Sequence, residues 1–215
     1  LNKTIILVAI LLISATSQAA ETSVQRPHWS LEIKGGRFYP DISDWSTYYG
    51  ENYTSEFAGA MAYKISRLIE VGIEGGYIQD SGQALAPLHG VNAGSVKYEL
   101  APVNVFVLVR GVFNETQWLV PYFGGGWTRI YYKEEVQDQS TARGFADGYH
   151  GRGGLQLLLD RFDQSAATNM YQNFGVFHTY LFVEAEYTHA MADTNTGGSV
   201  NLGGTSWLAG LLFEF

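Results

Sequence analysis

The sequence predicts an all-β fold: an eight-stranded antiparallel up-and-down β-barrel whose strands cross a membrane. Three observations lead there. The first is the last stretch, Gly204 to Phe215, which alternates Trp207, Ala209, Leu211, Phe213 and Phe215 on one face with Ser206, Leu208, Gly210, Leu212 and Glu214 on the other. A period of two marks a strand between two environments. An apolar face of this kind suits a closing strand that must pair with the first, because no open sheet edge survives in hydrocarbon. The second is the N-terminal stretch: Lys3, an apolar run from Ile5 to Ile13, and small residues at Ser17 and Ala19. That pattern is a secretory signal peptide, too short and wrongly flanked for a spanning helix. The third is that no later apolar run reaches the length of a transmembrane helix, about 20 residues, so a crossing must be made by strands.

The expected organisation is a signal peptide at residues 1–19, a leader at 20–28 and the barrel at 29–215, with cleavage after Ala19 or Ala20. The chain has 21 Asp and Glu against 13 Lys and Arg, a formal net charge of −8. An acidic chain has no general attraction to nucleic acid. It contains no cysteine, which excludes disulfides, thiol chemistry and an N-terminal lipid anchor on sulfur.

Strand one alternates Trp29, Leu31 and Ile33 with Ser30, Glu32 and Lys34 and ends at Pro40. Pro40 to Asn52 has no settled period and reads as an exposed loop. Strand two carries Phe57, Gly59, Met61, Tyr63 and Ile65 against Glu56, Ala58, Ala60, Ala62 and Lys64. A tight turn leads to strand three, with Ile69, Val71, Ile73 and Tyr77 opposite Glu70, Gly72, Glu74 and Gly76. A loop at about 79–94 follows. Strand four starts with Val96, Tyr98 and Leu100 toward lipid. Pro102 then suggests a bulge or a strand end, and a bulge would switch the outward set to Val103, Val105, Val107 and Val109. The turn RGVFNETQ leads to strand five, Leu119 to Lys133, where Gly124 to Gly126 erase the alternation. Glu134 to Asp147 reads as a second long loop. Strand six sets Gly151, Gly153, Leu155 and Leu157 against His150, Arg152, Gly154 and Gln156. Polar residues follow, with room for a brief helix at 161–172. Strand seven sets Leu181, Val183, Ala185 and Tyr187 against Glu184, Glu186 and Thr188. A loop from Ala192 to Gly204 precedes strand eight. Long connections after the odd strands would lie outside, with short turns and both termini on the periplasmic side.

Several stretches carry a family resemblance: GGRFYPD at Gly35–Asp41, LAPVNV at Leu100–Val105, VPYFGGG at Val120–Gly126, EAEYTH at Glu184–His189 and the closing GLLFEF. With the exported leader, they resemble the small eight-stranded outer-membrane barrels of the OmpA and OmpW types. The resemblance implies a place in the outer membrane of a Gram-negative bacterium, among lipid and lipopolysaccharide. It also implies insertion by the barrel assembly machinery, with Trp207, Ala209, Leu211, Phe213 and Phe215 as the assembly signal.

The alternation turns Glu32, Lys34, Glu56, Lys64, Glu70, Glu74, Arg152, Glu184 and Glu186 into the barrel. Charges in a narrow interior must be paired, so these residues predict a packed polar network rather than an open channel. Arg152 is expected to meet Glu184 or Glu186 on the next strand. Trp45, Tyr48, Tyr49, Tyr53, Tyr77, Tyr98, Tyr131, Tyr132 and Tyr180 lie near strand ends and are expected to form aromatic belts at the headgroups. The five histidines show no metal-ligand spacing such as HExxH, so no cofactor is expected. His28-Trp29-Ser30 resembles the His-x-Ser of lipid A deacylases, but Leu31 stands where that family has Asn. The function expected is therefore non-enzymatic: a monomeric envelope protein with a structural or surface-interaction role. The alternative is a narrow channel for small or apolar solutes.

Overall fold

The computed structural model describes residues 26–42, 45–85, 92–114, 117–136, 141–193 and 198–215. The expected signal peptide and most of the leader lie outside these residues. The fold is a closed antiparallel barrel of eight staves. In chain order the strands are β1 (Trp29–Pro40), β2 (Thr54–Lys64), β3 (Ile69–Leu85), β4 (Asn92–Arg110), β5 (Leu119–Val136), β6 (Ala142–Leu158), β7 (His178–Asp193), β8 (Ser199–Asn201) and β9 (Gly204–Glu214). Neighbours in sequence are neighbours in space, and β1 closes on β9. The short β8 and β9 form one interrupted stave, since both pair with β7 in a single continuing register. Among the described residues there are also two short α-helices, α1 (Trp45–Tyr49) and α2 (Gln164–Phe174), and a single 3-10 turn at Leu159–Arg161.

The stagger of the strands follows from their pairing. From Ile33 the paired residues run through Gly59, Gly75, Val103, Arg129, Asp147 and Met191 to Asn201. Ile33 itself closes on Leu211, so one circuit climbs ten residues (from 201 to 211). Eight strands with that shear tilt by about 40° and enclose an interior that side chains can fill.

The barrel is apolar outside and polar inside. Ile33, Phe57, Ile73, Phe123 and Val183 point outward and are exposed, while Glu32, Glu56, Glu74, Glu184 and Arg152 are buried. Glycines permit the curvature. At Gly126, which faces the lumen, a Cβ would sit 1.9 Å from the carbonyl oxygen of Val105 on β4. Only a residue without a side chain lets the two backbones approach so closely.

Three expectations are corrected. β4 has no bulge at Pro102: its pairing with β5 runs unbroken from Val96 to Arg110. Tyr98 and Leu100 therefore face the lumen with Asn104, not lipid. Pro102 fits because Gly76 lies opposite, where a Cβ would meet the proline ring at 2.9 Å. The register shift falls between Gln83 and Leu85 instead. Second, β3 and β4 continue to Leu85 and from Asn92, and β5 and β6 to Val136 and from Ala142, so most of each expected loop, at 79–94 and at 134–147, is strand. Third, part of the expected loop at 40–52 is α1, which folds into the mouth and buries Trp45.

Candidate functional site

The lumen is the site, and alternation builds it in layers. At the end carrying both barrel termini lies a small ion cluster. Arg110 Nη1 donates to Glu70 at 2.9 Å and to Glu214 at 2.5 Å, and Nη2 donates to Gln156 at 2.7 Å. Lys64 pairs with Glu214 and stands 3.8 Å from Glu70. Above it, Phe106, Leu108, Phe182 and Leu212 form an apolar layer.

The central network follows. Lys34 Nζ lies 2.6 Å from Glu74 and from Glu184, and 3.4 Å from Glu186. Arg152 spans the lumen: Nη2 donates to both oxygens of Glu32 at 2.9 Å and Nη1 to Glu74 at 2.6 Å. Its Nε is 3.2 Å from Glu184, and its guanidinium rests 4.3 Å from the Phe106 ring centroid. Neutral groups fill remaining valences. Tyr122 donates to Glu184 at 2.8 Å, Asn104 to Glu186 at 3.1 Å, and Ser206 to Glu56 at 2.5 Å. Burying any one of these charges alone would be costly, and the cross-lumen pairing offsets that cost. Toward the other mouth, Phe38, Trp45, Ile78, Tyr98, Leu100 and Ile130 form an apolar plug.

All nine charged residues expected inside are thus placed on the lumen, in two clusters: Lys64 and Glu70 in the lower one, the other seven in the central network. Arg152 and Glu186 are paired in register, yet Glu186 turns to Lys34 and Asn104. The lumen is narrow enough for the guanidinium to cross to β1 and β3. Arg110, Asn104 and Glu214 complete the clusters. Arg110 ends β4, and carrying the alternation of Val103 to Val109 one step further assigns it to the lumen.

The aromatic expectation needs the larger correction. Tyr77 and Tyr131 face outward. Trp45, Tyr98 and Tyr180 are buried in the lumen, and Tyr49 and Tyr132 pack on the plug. A position near a strand end sets height but not face, and these rings fall on inward parity or, for Trp45 and Tyr49, on α1. The Tyr48 side chain lies outside the described residues. Ser30 gives its hydroxyl to Glu70 at 3.3 Å, while His28 lies near the Tyr63 ring, so the His-x-Ser pair is not assembled.

Carboxylate oxygens of Glu74, Glu184 and Glu186 come within 4.8 Å of one another, a spacing a cation can bridge. The Lys34 ammonium already contacts all three. On the outer rim, a hydrogen bond from Lys97 holds the Glu99 carboxyl below its usual range, and Arg129 forks onto Asp147 with two bonds of 2.7 Å.

Two solved structures share this architecture. Neisserial surface protein A superposes with a TM-score of 0.56 at 9% identity, over 87% of this chain and 97% of that one. The outer membrane protein OprG from Pseudomonas aeruginosa superposes with a TM-score of 0.60 at 12% identity, over 88% and 97%. The likeness is one of fold. The chain has the fold of small bacterial outer-membrane barrels. No family model matches its sequence, and no curated protein does.

Proposed function

We propose that this protein spans the outer membrane as a closed, non-enzymatic barrel that braces the envelope and presents a raised wall at its outer surface. The observation that carries the reading is the filled lumen: two clusters of buried ion pairs alternate with two apolar layers, leaving side chains where a pore would need water. The apolar exterior supports a lipid environment, with the barrel inserted by the assembly machinery that handles this fold. The rim supports the surface role. β3, β4, β5 and β6 have 17 to 19 residues, whereas β1, β2 and β9 have 11 or 12. These four neighbouring strands therefore stand above β1 and β2 as one wall, with β7 of 16 residues beside it, and the wall is edged with Lys97, Glu99, Lys133 and Glu135.

A narrow cation path is the second reading, favoured by the central network itself, where Glu32, Glu56, Glu74, Glu184 and Glu186 outnumber Lys34 and Arg152. Planar-bilayer recording of the refolded chain separates the two. The closed reading expects no discrete steps. Reproducible steps that vanish in Glu74→Gln or Glu184→Gln would overturn it in favour of the path. Purification without detergent tests the membrane reading: a folded, monodisperse monomer there would end it.

A further inference from the structure

The connection between β6 and β7 carries an amphipathic helix whose apolar face the described residues leave uncovered. In α2, Ala167, Met170, Tyr171 and Phe174 recur at the spacing i, i+3, i+4 and i+7, which gathers them into one stripe. Phe162 stands immediately before the N-cap Asp163, the position from which an apolar side chain extends such a stripe. Polar residues without charge cover the opposite face, and no residue from Gln164 to Phe174 is acidic or basic. The helix buries none of its residues, and Phe162 and Phe174 are 72% and 69% exposed.

The helix is tied to the barrel at both ends. Ahead of it, Asp160 lies 2.8 Å from His178 Nδ1 and accepts from Thr179 N at 3.0 Å, which holds its entry against the start of β7. After it, the Tyr171 ring packs edge-on to Phe177 with centroids 5.0 Å apart. What covers the stripe follows from this position. α2 stands at the end that carries both termini, where Trp29, Trp118, Leu119 and Phe215 are exposed at the strand ends. Directly beyond it, Leu155, Leu181 and Val183 continue the exposed apolar wall of β6 and β7. A lipid-facing wall of this kind ends in a girdle of aromatic rings at each membrane interface. Phe162, Tyr171 and Phe174 extend that girdle sideways from the barrel.

We infer that α2 lies on the leaflet adjoining this end of the barrel, an inference that rests on the membrane-spanning reading above. Its stripe enters the boundary between headgroups and acyl chains, about 5–10 Å deep as for other interfacial helices, and its polar face stays in water. With no charge on the helix, burial of apolar surface drives the contact and the sign of the lipid headgroup does not.

Because the chain has no cysteine, single cysteines can carry a nitrobenzoxadiazole label in protein refolded into phosphatidylcholine vesicles. Met170→Cys reports the stripe, Gln172→Cys the opposite face and Val183→Cys the outer wall of the barrel. Lipids spin-labelled near the headgroup are expected to quench the Met170 label at least twofold more than the Gln172 label. Lipids spin-labelled deep in the chain are expected to quench the Val183 label. Adding Tyr171→Gln with Phe174→Gln should bring the Met170 label down to the level of the Gln172 label. Raising the salt should change neither, since screening acts between charges. Heat-modifiable gel migration confirms that each variant is folded, and the Met170 and Gln172 comparison stands by itself if the double variant does not fold. With the Val183 label quenched, a Met170 label quenched no more than the Gln172 label would overturn the proposal and leave the stripe to a protein partner. Loss of the Met170 quenching at high salt would overturn it as well. An unquenched Val183 label would instead overturn the membrane-spanning reading on which the proposal rests.

Discussion

At the scale of single residues, Arg152 ties three strands together, contacting Glu32 on β1, Glu74 on β3 and Glu184 on β7. Replacing it with leucine leaves three carboxylates facing one another without their shared cation. Breaking a buried pair in this way costs roughly 3–5 kcal/mol. Arg152→Leu should lower the urea midpoint of the vesicle-inserted protein accordingly. A cycle with Glu32→Gln should be non-additive, since the two changes remove one interaction; strict additivity would show that the contact contributes nothing. Glycines give a second contrast. A Cβ on Gly126 would meet the Val105 carbonyl oxygen at 1.9 Å, whereas a Cβ on Gly75 meets nothing within 4 Å. Gly126→Ala should therefore abolish or strongly reduce the heat-modifiable folded band. Gly75→Ala should stay within about 0.5 kcal/mol of the parent, as surface substitutions free of such conflicts do. Equal behaviour of the two would show that close strand approach does not govern this wall.

Among the elements, legibility in the sequence depended on how cleanly each strand separates its two faces. β1, β2 and β3 alternate bulky apolar residues with small or charged ones over most of their length, and in β7 and β9 Glu184, Glu186, Ser206 and Glu214 mark the inner face, so their parity could be read directly. β4 could not be read this way, because its lumen face is apolar at Leu100, Phe106 and Leu108 just as its lipid face is at Val103 to Val107. Pattern alone does not separate hydrocarbon from a packed interior. β5 hid its register in Gly124 to Gly126, whose absent side chains are what the curvature requires. The upper halves of β5 and β6 carry outward charges such as Lys133 and Arg143, which look like loop because they rise above the apolar band. The clusters followed the same logic: acids alternating with aliphatics were visible, while partners across the lumen depend on stagger. α2 sits differently from all of these. It is capped by Asp163, whose side chain accepts from Ala166 N at 2.9 Å, ends at Gly175 in the left-handed conformation, and buries no residue. Replacing 162–175 with a short turn should leave the urea midpoint of the barrel unchanged. A large drop would mean that the helix braces the wall.

At the scale of the whole molecule, stability and shape come from closure. Each stave pairs on both sides, and the last pairing joins the two ends of the barrel: Phe215 N donates to the Trp29 carbonyl at 2.8 Å, and His28 N and Trp29 N donate to the Phe215 carbonyl at 2.7 and 3.0 Å. Removing any stave would expose two edges at once, so no smaller ring is available as a resting state.

That seam also sets an order in time. The hairpins β2–β3 and β5–β6 join residues near in sequence, whereas β1–β9 joins the most distant strands, and bringing ends together costs more entropy the longer the intervening chain. The seam should therefore close last, once the seven other pairings between neighbouring staves have shortened the gap. Because the chain has no cysteine, engineered pairs at the paired positions Ile33 and Leu211, and at Phe57 and Tyr77, can time the two events by quenched oxidation during refolding. The hairpin pair should lock early and the seam pair with the final folded band; a seam that locks first would reverse the sequence of assembly.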